Sequence, residues 1–339
     1  MNFLSDNAAP AHPHILQALS DVNSVDNHGY GEDGQTQALT QQLSALFETQ
    51  VTVFPVVTGT AANALAMATL CPPHGAILCH RDAHLETDEC GAPEFFTAGA
   101  KLRPIAGDAG KLTPETLQEA LATYHDMVHM VVPHVLSITQ SSELGRVYQP
   151  EEVKALVDVA KSRRLFCHMD GARFANAVAA LGCRPAEITW KAGIDVLSFG
   201  ATKNGALAAE AVVFFDPNLS RDFEFRRKRS GHLLSKLQYV SAQLSAFVRD
   251  GLWLELAAHA NAAAAVVARG AGKRLAYPVE ANEAFITLSD AQKAVLKAQG
   301  FDFYDWGSQT DTLARFVTSW ATPLDHCEAL AKALQTLDG

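Results

Sequence analysis

Charge is scarce in this 339-residue chain, and what there is leans acidic. Charged residues make up 19% of the sequence, 27 basic against 37 acidic, for a net charge of −10. An apolar content of 48% excludes intrinsic disorder, which needs few apolar residues and many charges. Broad nucleic-acid binding needs a net basic face, so a polyanionic partner is not expected, although a local basic pocket for one phosphate stays open. Cysteine is also sparse. The six residues Cys71, Cys79, Cys90, Cys167, Cys183 and Cys327 form no C-x-x-C pair, which argues against a zinc ribbon or a dithiol redox motif. No run approaches the roughly 18 uninterrupted apolar residues of a membrane span. The opening MNFLSDNAAPAHPH lacks a basic segment followed by an apolar one, so no secretory signal is expected. The expected setting is the cytoplasm with reduced thiols.

The length is enough for about two domains and a large core. A polar arm, residues 1–14, precedes alternating apolar runs and helical patterns. Val51–Val57 reads as a strand and Gly59–Leu70 as a helix; Ala76–Cys79, Lys101–Ile105, Met127–Ile138, Leu165–Met169, Val196–Phe199 and Ala211–Phe215 are further strands. Thr113 before Pro114 is a helix start, a cap followed by proline at the first helical position. This alternation predicts an α/β large domain over residues 15–250, a mainly parallel sheet with helices on both faces. Residues 251–339 read as a smaller α+β domain, with strands at Ala284–Leu288, Phe301–Tyr304 and Leu313–Ser319.

Chemistry concentrates where strands end. In LFCHMDGARFANA an apolar strand runs into Asp170, followed by Gly171 and Arg173. The carboxyl end of a strand in a doubly wound sheet is where ligands sit, yet an aspartate there can equally cap the next helix. In VLSFGATKNG another strand leads to Lys203 among small residues, 33 positions after Asp170. Such a lysine is either a nucleophile or a loop-tip ammonium in water. Together the two suit pyridoxal phosphate, an aspartate facing the pyridine nitrogen and a lysine holding the aldehyde. The junction Val57-Thr58-Gly59-Thr60-Ala61-Ala62-Asn63 passes from strand to helix, and a helix N-terminus binds phosphate through free N–H groups and its dipole. His84, after the next strand, can cover the ring and move protons, or can be one of thirteen ordinary histidines. Arg315, inside an apolar strand, needs an anionic partner and suits a substrate carboxylate; Ser5 and Asp6 of the arm can reach the same pocket. A nicotinamide site is disfavoured, because no G-x-G-x-x-G follows the first strand.

The ordered set FLSDN, HGYGEDG, VTGTAAN, DAHLETDECGAPE, HMDGARFANA, SFGATKNG and LARFVTSW resembles the low-specificity L-threonine aldolases, with phenylserine aldolases as close relatives. These are fold-type I, aspartate-aminotransferase-like pyridoxal 5′-phosphate enzymes of the β-eliminating lyase group. The resemblance spans nearly the whole chain. It implies that Lys203 carries the cofactor, Asp170 pairs with the pyridine nitrogen, and Arg173 lies near the ring oxygen and the substrate carboxylate. It implies Thr58, Gly59 and Thr60 at the phosphate, helped by Asn63. His84 is implied on the ring and as a base for the substrate hydroxyl. Ser5 and Arg315 are implied at the carboxylate. Tyr30 and Arg229 are implied near a partner subunit's site, in a homo-oligomer built as a dimer of dimers. The implied reaction is cleavage of an L-β-hydroxy-α-amino acid to glycine and an aldehyde. The same residues would also serve β-elimination, racemisation or transamination, and a non-catalytic relative would keep the fold. One stretch departs from the pattern. Where many members have Glu-Asn-Thr-His, this chain reads Ser137-Ile138-Thr139-Gln140-Ser141-Ser142-Glu143-Leu144-Gly145. The histidine that would contact the β-substituent is missing, which opens the way to a bulkier aryl substrate.

Overall fold

The structure is a computed structural model that describes residues 1–24, 28–125, 127–307 and 312–337. Among these, ten strands form two sheets: β1 (Thr52–Val56), β2 (Gly75–His80), β3 (Lys101–Ile105), β4 (Val132–Thr139), β5 (Phe166–Gly171), β6 (Val196–Gly200) and β7 (Glu210–Phe214) in the large one, β8 (Glu283–Thr287), β9 (Tyr304–Asp305) and β10 (Leu313–Val317) in the small one. The large sheet has the order β1-β7-β6-β5-β4-β2-β3. Its β2–β3, β2–β4, β4–β5 and β5–β6 pairs are parallel. Strand β7 is antiparallel to both β6 and β1. It follows that β1 runs with the five strands β2 to β6 and β7 alone is reversed. The carboxyl ends of β1, β2, β4, β5 and β6 therefore share one edge of the sheet, and β7 starts there.

The strands β2, β6 and β7 are buried along their whole length, because helices cover both faces. Local chemistry sets the helix starts. Thr58 is extended (φ −140°, ψ 149°) and its hydroxyl accepts the Ala61 N–H at 3.1 Å, which opens the helix Gly59–Leu70. Thr113 and Thr116 satisfy each other's N–H groups ahead of the helix Pro114–Ala122.

Two expected strands differ most in extent. The strand expected from Met127 begins at Val132. The one expected over 301–304 is reduced to Tyr304–Asp305. Phe301 and Phe303 bury into the C-terminal core, and the N-terminal arm takes the neighbouring backbone: Asn2 bridges Asp302, the Phe3 N–H donates to the Asp302 carbonyl at 2.8 Å, and the Val317 N–H donates to the Phe3 carbonyl at 2.9 Å. The arm is thus fastened to the small sheet by Phe3, which is fully buried.

The helix Leu252–Ala271 joins the two parts. Its first turns, with Leu252, Trp253 and Leu256, pack into the large-domain core, whereas Ala263, Val267 and Ala271 pack into the C-terminal core. Together with Gln238–Val248 it makes a run apolar enough to cross a membrane by length and composition. A left-handed Asp250 (φ 54°) breaks that run, and the buried side of each helix is spent on the protein core.

Candidate active site

Because five strand ends meet along one edge, the segments that follow them meet too. Thr58–Thr60 follows β1, His84 follows β2, Ser141–Glu143 follows β4, Asp170–Arg173 closes β5, Lys203 follows β6, and Glu210 begins β7. All of these line one cleft of about 260 Å³. This is the crevice outside the carboxyl ends of the strands where α/β folds bind ligands.

Asp170, 3% exposed, is held in place from three sides. Its Oδ2 accepts the Asn63 amide at 2.8 Å, its Oδ1 accepts the Ala172 N–H at 3.0 Å, and its carbonyl accepts the Gln140 N–H at 2.8 Å. Gly171 is required beside it, since a Cβ there would lie 2.7 Å from the Ser198 carbonyl oxygen. Two positions back on the same strand face, His168 accepts and donates between Ser137 and Ser198 at 2.9 Å each. Lys203 stands half-buried on a single turn, Thr202–Asn204, closed by Gly205 with φ +102°. A side chain at Gly205 would be strained and would press Leu256 at 2.9 Å.

The Asn63 side chain, expected at the phosphate, is taken up elsewhere. It donates to Asp170 and also to Glu89 Oε1 at 2.8 Å, being one turn into its helix and facing the sheet. Glu89 in turn meets His84 Nδ1 at 2.9 Å. The chain Asp170–Asn63–Glu89–His84 therefore ties the strand-end carboxylate to the imidazole. The Glu89 hydrogen bond holds the His84 pKa above its ordinary value, against the opposing effect of burial. Burial raises the Glu89 pKa in turn, although His84 and Asn63 favour its ionised form.

Arg173 is fully engaged. Its Nε and Nη2 donate to the two oxygens of Asp6 at 2.7 and 3.0 Å, and its Nη1 lies 3.3 Å from Glu283. Burial alone would raise the Asp6 pKa, but Arg173 and Lys203 hold it below the usual carboxylate range. Arg315 reaches Glu283 at 3.9 Å and lies over Trp306, 4.4 Å from the ring centroid. Ser5 caps the single turn Asp6–Ala8 by accepting the Asn7 N–H, and it is Asn7 that lines the cleft. Tyr30 and Arg229 are outside the cleft. Tyr30 is exposed under the Lys228 ammonium, 4.8 Å away, and exposed Arg229 lines a separate groove. No sequence pattern marks Glu89, Glu210 or Glu283 as site residues. Burial pushes Glu210 up to about 7, with Thr202 and Lys203 acting against that rise.

The model of the beta-eliminating lyase family matches residues 2–291. The chain belongs to the beta-eliminating lyase family. A low specificity L-threonine aldolase of Pseudomonas aeruginosa is 42% identical over 99% of this chain and 98% of its own length. A solved threonine aldolase from Leishmania major superposes with a TM-score of 0.93 at 29% identity, covering 100% of this chain and 99% of that one. An aspartate aminotransferase from Rhodobacter sphaeroides, 17% identical with a TM-score of 0.74, shares the fold.

The cofactor of this beta-eliminating lyase family member is pyridoxal 5′-phosphate, and the cleft fits it. Gly59 has open space where a Cβ would stand, in front of a helix whose first N–H groups precede the intrahelical bonds. The donor set is right for the rest of the molecule: a fixed carboxylate at Asp170 for the pyridine nitrogen, an amine at Lys203 for the aldehyde, and the His84 ring beside them.

Proposed function

We propose that this lyase cleaves L-β-hydroxy-α-amino acids, such as L-threonine, L-allo-threonine or L-phenylserine, to glycine and an aldehyde. The observation that carries the reading is the single cleft uniting Lys203, Asp170, His84 and the helix start at Gly59, in a chain collinear with a named threonine aldolase. Bound pyridoxal phosphate supplies an electron sink for the pair released at the substrate's Cα. The chain's own residues do the positioning. Lys203 and Asp170 hold the cofactor at its aldehyde and its pyridine nitrogen. Thr58, Gly59 and Thr60 take the phosphate. Arg315, helped by Ser5 and the arm, takes the substrate carboxylate and so aligns the Cα–Cβ bond, an orientation effect of the kind that supplies several kcal/mol in enzymes. Glu89 holds His84 in the cleft beside Asp170 and Lys203.

We infer a homo-oligomer, a dimer of dimers, from the surface positions of Tyr30 and Arg229, which have no role in their own chain's cleft. The absence of disulfides among the six cysteines supports a reducing cytoplasm. A panel of L-threonine, L-allo-threonine and L-phenylserine, assayed for glycine and aldehyde together, tests the reaction. Pyruvate-type keto acids and ammonia, or inverted amino acid, in their place would assign elimination or racemisation to the site.

A further inference from the structure

The aldolase reading requires a group that takes the proton of the substrate's β-hydroxyl as the Cα–Cβ bond opens. The expected group is His84. Its Nδ1 is committed to Glu89 at 2.9 Å, an interaction that stabilises the protonated ring. The contact favours the form of the ring in which both nitrogens carry hydrogen, and that form has no lone pair to accept another proton. A second group lines the cleft beside it.

We propose that Glu143 is the proton acceptor for the substrate's β-hydroxyl, with the His84–Glu89 pair serving to cover and position the reacting carbon. This assignment rests on the aldolase reading. Glu143 lines the cleft together with His84, Asp170 and Lys203. It stands at the tip of a loop that is fastened at both sides. Gln140 exchanges hydrogen bonds with Tyr148, donating through Nε2 to its carbonyl at 2.8 Å and accepting its N–H at 3.0 Å. The Ser142 N–H donates to the Arg146 carbonyl at 2.8 Å. One carboxylate oxygen of Glu143 accepts the His84 backbone N–H at 3.3 Å, which uses one of about four lone-pair sites and leaves the rest available.

The remaining carboxylates are placed for other work. Asp170 is committed to Asn63 and the cofactor nitrogen. The Glu89 side chain has no exposure to the cleft. Glu210 pairs in register with Val56 at the β1–β7 side, where the phosphate-binding helix starts, whereas Glu143 and His84 follow β4 and β2 on the opposite side of Asp170. The charged groups around Glu143 are Asp170, Lys203, Arg173 and His84. Burial, then Asp170, raise its pKa above the ordinary glutamate value against the three cations. A carboxylate with a raised pKa is a stronger base than one free in water.

The hydroxyl proton passes to a Glu143 oxygen. The O–H pair becomes the second bond of the aldehyde carbonyl. The Cα–Cβ pair goes to Cα, where bound pyridoxal phosphate would supply the electron sink, and a proton delivered to Cα completes glycine. The absent Glu-Asn-Thr-His histidine is thereby not needed for this proton.

The test uses holoenzyme carrying Glu143→Gln, which keeps the shape and an acceptor for the His84 N–H, and Glu143→Asp as the conservative variant. Cleavage of L-threonine or L-phenylserine by Glu143→Gln should fall about 100-fold or more, within the range for loss of a general base. Glu143→Asp should recover part of it. The acid limb of the wild-type kcat profile should vanish in Glu143→Gln. Glycine has no β-hydroxyl, so its affinity, read from the cofactor absorbance, and the exchange of its α-proton in D2O should stay within about threefold of wild type for a group that acts only on the hydroxyl. Cleavage retained by Glu143→Gln, or glycine affinity and exchange lost in step with cleavage, would overturn the assignment. A wild type that binds these substrates but releases no glycine and aldehyde would instead sink the aldolase reading beneath it.

Discussion

Glu89 has no exposure to the open cleft, yet it sets the state of the histidine that faces it. The hydrogen bond at 2.9 Å is the first cause of the raised His84 pKa, and burial is the chief opposing one. Replacing Glu89 with Gln removes the charge and leaves burial in control, so His84 should lose its proton at lower pH than in the wild type. Proton NMR of the His84 ring would follow this, and an unchanged midpoint would mean that Asp170 and Glu143 alone hold the proton. Cleavage should also slow, by about tenfold or more, because a truncated charge-assisted bond of this kind costs roughly 1.5–3 kcal/mol. None of this was legible from HLETDECG, where Glu89 is one of three acids within four residues. Its meaning comes from Asn63, which lies 26 residues earlier and joins it only after the fold closes. Arg173 is legible as a site residue for the opposite reason, lying three positions after Asp170 in sequence, but its partner Asp6 is 167 residues away. The resemblance implies Arg173 near the ring oxygen and the substrate carboxylate; in the fold it also meets two carboxylates of the chain, Asp6 and Glu283.

Strand ends are where sequence and fold agreed best. Asp170, Lys203 and Gly59 each follow a short apolar run with a change of pattern, and each run became a strand of the large sheet. The helix Gly59–Leu70 has the bounds expected of it. The weak point was the C-terminal sheet, since no local pattern announces that the first residues of the chain will pair beside Asp302. At the same scale, the middle of the large sheet carries a pH-sensitive element. His168 of β5 links Ser137 of β4 to Ser198 of β6, and burial pushes its pKa down to about 4. The unfolded chain takes up a proton near pH 6.5, and the folded one refuses it until about pH 4. Stability from this residue is therefore fully present above about pH 6.5 and is lost as pH falls toward 4, on the order of 3 kcal/mol across that window. His168→Gln should be less stable than wild type at pH 7, through its lost bonds, but should lose less on acidification. Urea unfolding at pH 7 and pH 4.5 measures both differences. Equal losses in the two proteins would show that His168 does not refuse the proton.

For the whole molecule, net charge and local surface part company. The chain carries −10 overall, yet one face gathers Arg226 and Arg229 around a groove of about 1020 Å³ with Phe95 and Phe225 standing 77% and 76% exposed at its rim. Two exposed phenylalanines beside arginines have the composition of an association surface, because aromatic and arginine side chains dominate interface energetics. Tyr30, the other residue implied to reach a partner, lies against Lys228 of the same short helix, Phe223–Arg229. The proposed oligomer would thus use one basic, aromatic face of an acidic protein. Phe225→Asp puts a charge on that face and should cost several kcal/mol if the residue is covered in the assembly, since an unpaired buried carboxylate is expensive. Sedimentation velocity should then show a species of half the wild-type mass or less. Far-UV circular dichroism should be unchanged, because Phe225 makes no part of the cores. If Arg229 completes a neighbour's cleft, the dissociated variant should also lose cleavage activity while Lys203 still carries cofactor. An active Phe225→Asp protein of wild-type mass would place the subunit contact elsewhere on the surface.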